Sequence, residues 1–371
     1  MRAVQRNGHV RDAAVAIGSP GPAPGGDVDA VGGLRASARR GRTWPAVVAL
    51  FLLAAVIPES IATGNTPVLA YVIAPATLPF LAAFYGGAAL TIRELRLRLS
   101  LGWRGIALLG VAFGFANEGV IAATWYRVAP TGYTYTPGHP GVDVAWAVFL
   151  TVFHVVVSVV IPILLVEAMF PRIARQRWVG RRGFVISAAL PLLLTLVTLL
   201  SPSYRPQRLI VIAAIALLIT LALRRRRRAE PTPVPSAPGL RLAGVARLRT
   251  AGAGLTVAFY AAGFLVPGIC ASATPRHLDV CQALYVLLML TVAGVGTVVV
   301  RRWSRHPGWG QRQNVAVLTG LLIPAVVLTT ATPSAFIGGA IILSGPFAAM
   351  LIWLARRYRR GLDDRGMAGN P

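Results

Sequence analysis

Residues 143–182 read DVAWAVFLTVFHVVVSVVIPILLVEAMFPRIARQRWVGRR. Between Val144 and Val166 the only ionisable side chain is His154, and the stretch is long enough, at about 1.5 Å per helical residue, to cross roughly 30 Å of hydrocarbon. A helix is the simple way for one segment to satisfy its own backbone in lipid. Directly after it come Arg172, Arg175, Arg177, Arg181 and Arg182, the kind of basic turn that holds the cytoplasmic end of a membrane span.

The same pattern repeats along the chain. Apolar runs of spanning length lie at about 44–62, 68–92, 105–124, 143–168, 184–200, 208–223, 252–270, 279–300, 314–331 and 335–354. Of 371 residues, 55% are hydrophobic and 13% charged, too few charges to solvate a soluble protein of this size. The expected fold class is all-α, a polytopic transmembrane helix bundle of about ten spans.

Arginine placement tests that count. All 37 basic residues are arginine, against 12 acids, giving a formal charge of +25. Arginines collect in alternate connections: Arg35, Arg39, Arg40 and Arg42; Arg93, Arg96, Arg98 and Arg104; the 172–182 turn; Arg224 to Arg228; Arg301, Arg302, Arg305 and Arg312; and Arg356, Arg357, Arg359 and Arg360. The other connections hold only Arg127, Arg205, Arg208 and Arg276. One miscounted helix would invert the pattern downstream. The alternation therefore places both termini in the cytoplasm and the basic segments beside anionic lipid headgroups. The same distribution argues against a nucleic-acid partner, which the net charge alone would suggest. The expected location is the plasma membrane, as a multi-pass protein.

Residues 1–43 are rich in Gly, Pro and Ala and are expected to form a disordered cytoplasmic tail without a cleavable signal peptide. Residues 44–223 make a six-helix block. The connection at 224–251 runs from five arginines into EPTPVPSAPG, which reads as a flexible or polyproline-like linker. A four-helix block at 252–356 and a cytoplasmic tail at 357–371 follow. No internal repeat is evident. Pro58, Pro75, Pro79, Pro162, Pro191, Pro267 and Pro324 interrupt spans, as cavity-shaping kinks or as packing features. Cys270 and Cys281 sit near the outer ends of adjacent helices, where they either form a disulfide or pack as buried thiols.

Polar groups inside the apolar runs carry the functional information, because a charge at bilayer depth costs several kcal/mol unless paired, neutral or hydrated. These are Glu59, Asn117, Glu118 and His154, with Ser158 one turn beyond the histidine. Helix direction puts Glu59, Glu118 and His154 at similar depth in the outer half. Either they converge, to share a proton or bind a cation, or they act separately as caps, snorkelling acids and an interhelical donor. At the inner ends, Arg93, Glu94 and Glu167 are expected to form a structural ion pair, Arg93 with Glu167 or with Glu94. A metal site is only weakly indicated: there is no His-Glu-X-X-His and no paired-cysteine motif, although Glu59, Glu118 and His154 together have adequate ligand types. No Gly-rich phosphate loop and no Gly-X-Ser-X-Gly elbow is present, and the sequence leaves any cofactor unknown.

Pro58-Glu59 with Gly64-Asn65-Thr66-Pro67, Tyr85-Gly86-Gly87, Ile92-Arg93-Glu94-Leu95, Gly102-Trp103, Phe113 to Gly119, Phe153-His154, Ile161-Pro162-Ile163 through Glu167, and Phe170-Pro171 together resemble a group of uncharacterised bacterial polytopic membrane proteins. The resemblance covers about residues 44–183 and implies no particular activity. Asn117-Glu118 and Phe153-His154 are more loosely similar to the membrane-embedded CAAX-protease and bacteriocin-processing group, which would make Glu118 and His154 catalytic residues that activate water. This sequence departs from that group in having Asn117 where the first glutamate stands, no arginine after Glu118 in the helix and no second histidine in place. Three functions follow as expectations: passage of a small solute or lipid-like molecule, intramembrane hydrolysis, or a non-catalytic role beside an unidentified protein partner.

Overall fold

A computed structural model describes residues 42–126, 142–224, 244–271, 275–306, 308–331 and 340–367, the side chains of 267–279, 340–341 and 360–367 excepted. Among the described residues every regular element is helical. In chain order the helices are α1 (Trp44–Ala62), α2 (Val68–Ile73), α3 (77–98), α4 (Trp103–Ile121), α5 (Val144–Met169), α6 (Arg181–Leu200), α7 (Arg205–Arg224), α8 (Val245–Ala271), α9 (Pro275–Ser304), α10 (Gln311–Thr330) and α11 (Ala340–Met367). The chain is thus an all-α polytopic bundle.

Eight of these, α1 and α4 to α10, are long and apolar enough to span a bilayer. Of the other two expected spans, one departs from the expectation and one is only partly described. The second expected span, 68–92, is split: α2 ends at Ile73, and Ala74 takes φ −121° and ψ 79°, outside the helical region. Pro75 is the cause, because its ring disfavours helical geometry in the residue before it. The chain turns and restarts as α3, whose far end carries Arg93, Glu94, Arg96 and Arg98. The tenth expected span, 335–354, falls partly outside the described residues and includes the first part of α11.

Burial separates a centre from a rim. Of the apolar windows of α4 and α5, 61% and 56% are buried, against 11% for α6 and for α9. Side chains such as Ile186, Leu193, Leu287 and Val298 face outward, which water would penalise and hydrocarbon does not. Helices from both sides of the 224–251 connection share one core: Ile57 and Ile61 of α1, Ile161 and Leu165 of α5, Leu318 and Leu322 of α10, and Leu351 and Leu354 of α11 pack together. Residues 225–243, most of the expected linker, lie outside the described residues.

Three expected basic segments gather at one end of the bundle. Arg93 Nη2 donates to the carbonyls of Ala174 and Gln176, and Arg357 Nη1 donates to the carbonyl of Met169. The opposite end holds the Ala62 carbonyl, which accepts from Tyr260 and Thr329.

Candidate functional site

Four central helices each contain one π-helical stretch: Ile57–Ala62 in α1, Ala82–Gly86 in α3, Phe115–Ile121 in α4 and His154–Val160 in α5. Each stretch carries one or more of the polar side chains Glu59, Tyr85, Asn117, Glu118, His154 and Ser158. In π geometry a backbone N–H reaches the fifth residue back. The Ala122 N–H donates to the Asn117 carbonyl at 2.8 Å, and the Ile161 N–H to that of Val156. The extra residue per turn rotates a side chain off the face that a straight helix would give it, which is why such turns recur at functional sites. Pro162 favours the widening in α5, because it has no N–H for the Ser158 carbonyl and its ring crowds that oxygen.

The side chains meet in one network. His154 Nε2 lies 2.8 Å from Glu118 Oε1, and His154 Nδ1 lies 2.9 Å from Ser158 Oγ. Thr124 Oγ1 donates to Glu118 Oε2. The Asn117 amide nitrogen is 3.0 Å from His154 Nε2, 3.2 Å from Glu118 Oε1 and 2.8 Å from Tyr85 Oη, to which it donates. Tyr85 Oη in turn donates to Glu59 Oε1, and Thr66 Oγ1 donates to Glu59 Oε2 at 3.1 Å. Asn117, Glu118, His154, Ser158 and Tyr85 are all buried. The rings of Phe113, Phe153 and Tyr85 lie beside the imidazole, the first two in T-shaped arrangements with it.

Hydrogen counting limits the protonation states. With the pair neutral as a whole, one hydrogen lies between Glu118 Oε1 and His154 Nε2, either as an imidazolium N–H donating to a carboxylate or as a carboxyl O–H donating to an imidazole nitrogen. In the first state the second Asn117 hydrogen goes to Glu118 Oε1. In the second the one lone pair of His154 Nε2 is taken by the carboxyl O–H, the Asn117 hydrogen stays with Glu118 Oε1, and His154 Nδ1–H donates to Ser158. The site thus has two hydrogen-bonding arrangements that differ by the position of one proton. Asn117 separates this pair from the Tyr85–Glu59 pair, since an amide does not readily relay protons.

Two backbone features set these positions. Gly64, with φ +68°, makes the turn that brings Thr66 back over Glu59, whose carbonyl accepts from the Thr66 N–H at 3.0 Å. Gly86 lies so close to α1 that a Cβ there would stand 2.5 Å from Phe51 Cα, so its missing side chain lets Tyr85 reach Glu59.

At the arginine-rich end both expected ion pairs form. Arg93 Nε is 3.1 Å from Glu167 Oε1 and Nη1 is 3.1 Å from Glu94 Oε1, with Arg93 and Glu94 fully buried. Arg96 joins Glu167 at 3.0 Å, and Arg98 joins Glu94 at 3.1 Å. The Arg93 guanidinium stacks 3.4 Å from the Trp178 ring centroid, and the Trp178 backbone N–H donates to Glu94 Oε1. These hydrogen bonds and ion pairs pack α3 against α5 and the 170–180 turn, which is a structural arrangement. Cys281 is disulfide-bonded, and the side chain of its expected partner, Cys270, lies outside the described residues.

The chain matches one family along 48–358, from α1 into α11. The chain belongs to an uncharacterized membrane protein family. The match extends the likeness expected over 44–183 through α8, α9 and α10, so the last helices are part of the family's pattern rather than an addition. No curated protein and no solved structure matches the chain. The family description names no protease, and nothing in the comparisons supports the likeness to the CAAX-protease group.

Within this family member the geometry sorts the expected site residues. Glu118 and His154 touch directly, while Glu59 joins them only through Tyr85 and Asn117. Among the described residues no three His, Cys, Asp or Glu side chains stand close enough to hold a metal ion, which corrects the expected Glu59, Glu118 and His154 ligand set. Tyr85 is the central residue that the sequence did not single out. It stood only within the Tyr85-Gly86-Gly87 part of the family resemblance, and a phenol inside an apolar run is common enough at membrane interfaces to carry no meaning alone. Thr66 and Thr124 were also missed, because a threonine near a helix end reads first as a cap or turn residue.

Proposed function

We propose that this multi-pass protein of the bacterial plasma membrane moves a small solute or lipid-like molecule, and that proton binding at the Glu118–His154 pair is coupled to that movement. The observation that carries the proposal is the buried 2.8 Å contact between Glu118 Oε1 and His154 Nε2. A proton added to this pair turns an internally neutral unit into a cation beside Asn117, and a proton removed leaves an anion. Either change breaks one of the two hydrogen-bond arrangements and rewards repacking of α4 against α5. Ionisable groups held deep in a bundle mark proton or substrate pathways in membrane proteins more often than they stabilise the fold. The π turns favour the same view, since a widened turn can return to α geometry with a one-residue shift in register.

A second reading rests on the same contact. Glu118 and His154 are within direct reach of one another, as an acid–base pair for water activation requires, so an intramembrane hydrolase is the alternative. A scaffold role beside a protein partner needs neither side chain.

Inside-out vesicles containing the full-length protein, loaded with a pH-sensitive dye and offered a panel of small ions, amino acids, sugars and short-chain lipids, separate the three. A solute-dependent pH change that is present in wild type and lost in Glu118→Gln and His154→Ala supports the transport proposal. Cleavage of peptide substrates in the same vesicles, lost in the same variants, replaces it with the hydrolase. Fluxes identical in wild type and both variants overturn the role of the pair.

A further inference from the structure

The arginine-rich end contains a cavity of about 480 Å³, within the roughly 300–1,000 Å³ range of small-molecule sites. Its wall comes from both sides of the 224–251 connection: α4, α5 and the 170–176 turn on one side, and the α9–α10 turn on the other. Three guanidinium groups line it, Arg96, Arg172 and Arg175, against one carboxylate, Glu167. Glu167 is already engaged by Arg93 and Arg96. Arg172 and Arg175, three residues apart on a tight turn and therefore on one side of it, form no ion pair or side-chain hydrogen bond among the described residues.

Two further features suit an anion. The cavity lining includes Trp103, the first residue of α4, and Gln311, the first residue of α10, so two helix N-termini open onto it. The N-cap of α4 is Gly102, which supplies no capping side chain for the first N–H groups. Trp103 is also half exposed at this end, and Trp309 forms part of the opposite wall, where indoles commonly sit at headgroup level.

We infer that this cavity binds a phosphate-bearing anion between the two sets of helices, through Arg172, Arg175 and the N-terminal N–H groups of α4 and α10. The ligand is either the headgroup of an anionic phospholipid or free phosphate, and the two share the same recognition chemistry. A bound phosphate would neutralise the unpaired guanidinium groups and fasten the α9–α10 turn to the first helices.

The test uses the full-length protein in an uncharged detergent. Phosphatidylglycerol in mixed micelles, phosphatidylcholine in mixed micelles and inorganic phosphate are titrated separately, and binding is read as a rise in Tm and as retained lipid in native mass spectrometry. Arg172→Gln/Arg175→Gln is compared with wild type and with Arg177→Gln, an exposed arginine outside the lining. At about fivefold per guanidinium near a lipid surface, the double variant is expected to bind roughly 25-fold more weakly, while Arg177→Gln binds like wild type. Unchanged helicity and unliganded Tm in the double variant exclude misfolding as the cause. Binding of phosphatidylglycerol alone assigns the site to a lipid headgroup, and binding of inorganic phosphate as well assigns it to phosphate itself. Equal binding by wild type and the double variant, or no preference for phosphatidylglycerol over phosphatidylcholine together with no response to phosphate, overturns the inference.

Discussion

Replacing Arg93 with methionine tests the cluster that fixes the arginine-rich end. Methionine keeps most of the length and removes every donor. The change withdraws the partner of Glu167 at 3.1 Å and of Glu94 at 3.1 Å, and the donors to the carbonyls of Ala174 at 2.7 Å and Gln176 at 3.1 Å. It also removes the guanidinium face from Trp178. Breaking one side of a buried ion pair costs about 3–5 kcal/mol, chiefly because a charge is left in a poor solvent. Arg96 and Arg98 still hold Glu167 and Glu94, which favours the lower part of that range, whereas the two carbonyls that lose their donor add to it, at about 1–3 kcal/mol for a group left without any partner. The expected loss is therefore about 3–5 kcal/mol, measured by denaturing-detergent titration of the purified protein and followed by helical circular dichroism. Arg98→Met, with a side chain about one-fifth exposed, is expected to lose less, on the order of 1 kcal/mol. Adding Glu167→Gln to Arg93→Met should cost less than the sum of the two single changes, since each removes the other's partner. A loss below about 1 kcal/mol for Arg93→Met, or strict additivity in the double variant, would show that the cluster is not a coupled buried unit.

Tyr85→Phe keeps the ring packed against Phe84 and Phe113 but removes the hydroxyl between Glu59 and Asn117. It is expected to cost about 1–3 kcal/mol in the same titration, and a wild-type midpoint would show that the bridge is not formed. Single cysteines placed next to Arg172–Arg182 and next to Arg224–Arg228, in a background lacking Cys270 and Cys281, should both be protected from a membrane-impermeant thiol reagent in intact cells and both labelled in inverted vesicles. Labelling of the two on opposite faces refutes the alternating topology and with it the shared depth of Glu59 and His154.

Solvation was legible from local sequence, because each span has to satisfy its own backbone and hide its own side chains, and both depend on a window of neighbouring residues. The 143–168 run, the arginines after it and their alternation along the chain were sufficient for the all-α bundle, and Glu59, Asn117, Glu118 and His154 stood out because lipid tolerates them poorly. Even here a local effect intervened: Pro75 breaks the 68–92 run, since hydropathy averages over a proline that backbone geometry cannot ignore.

Which polar groups touch was decided only by tertiary packing. Depth alone put Glu59 and Glu118 at one level, yet the structure separates them with a phenol and an amide and gives the imidazole to Glu118. That outcome depends on helix rotation, which a single π turn alters without changing any hydropathy pattern. It depends also on how closely α1 and α3 approach, a distance set by the absent side chain of Gly86. Greasy length and arginine placement are properties of one segment at a time, whereas a hydrogen bond between helices belongs to two, and so appears only when they are packed.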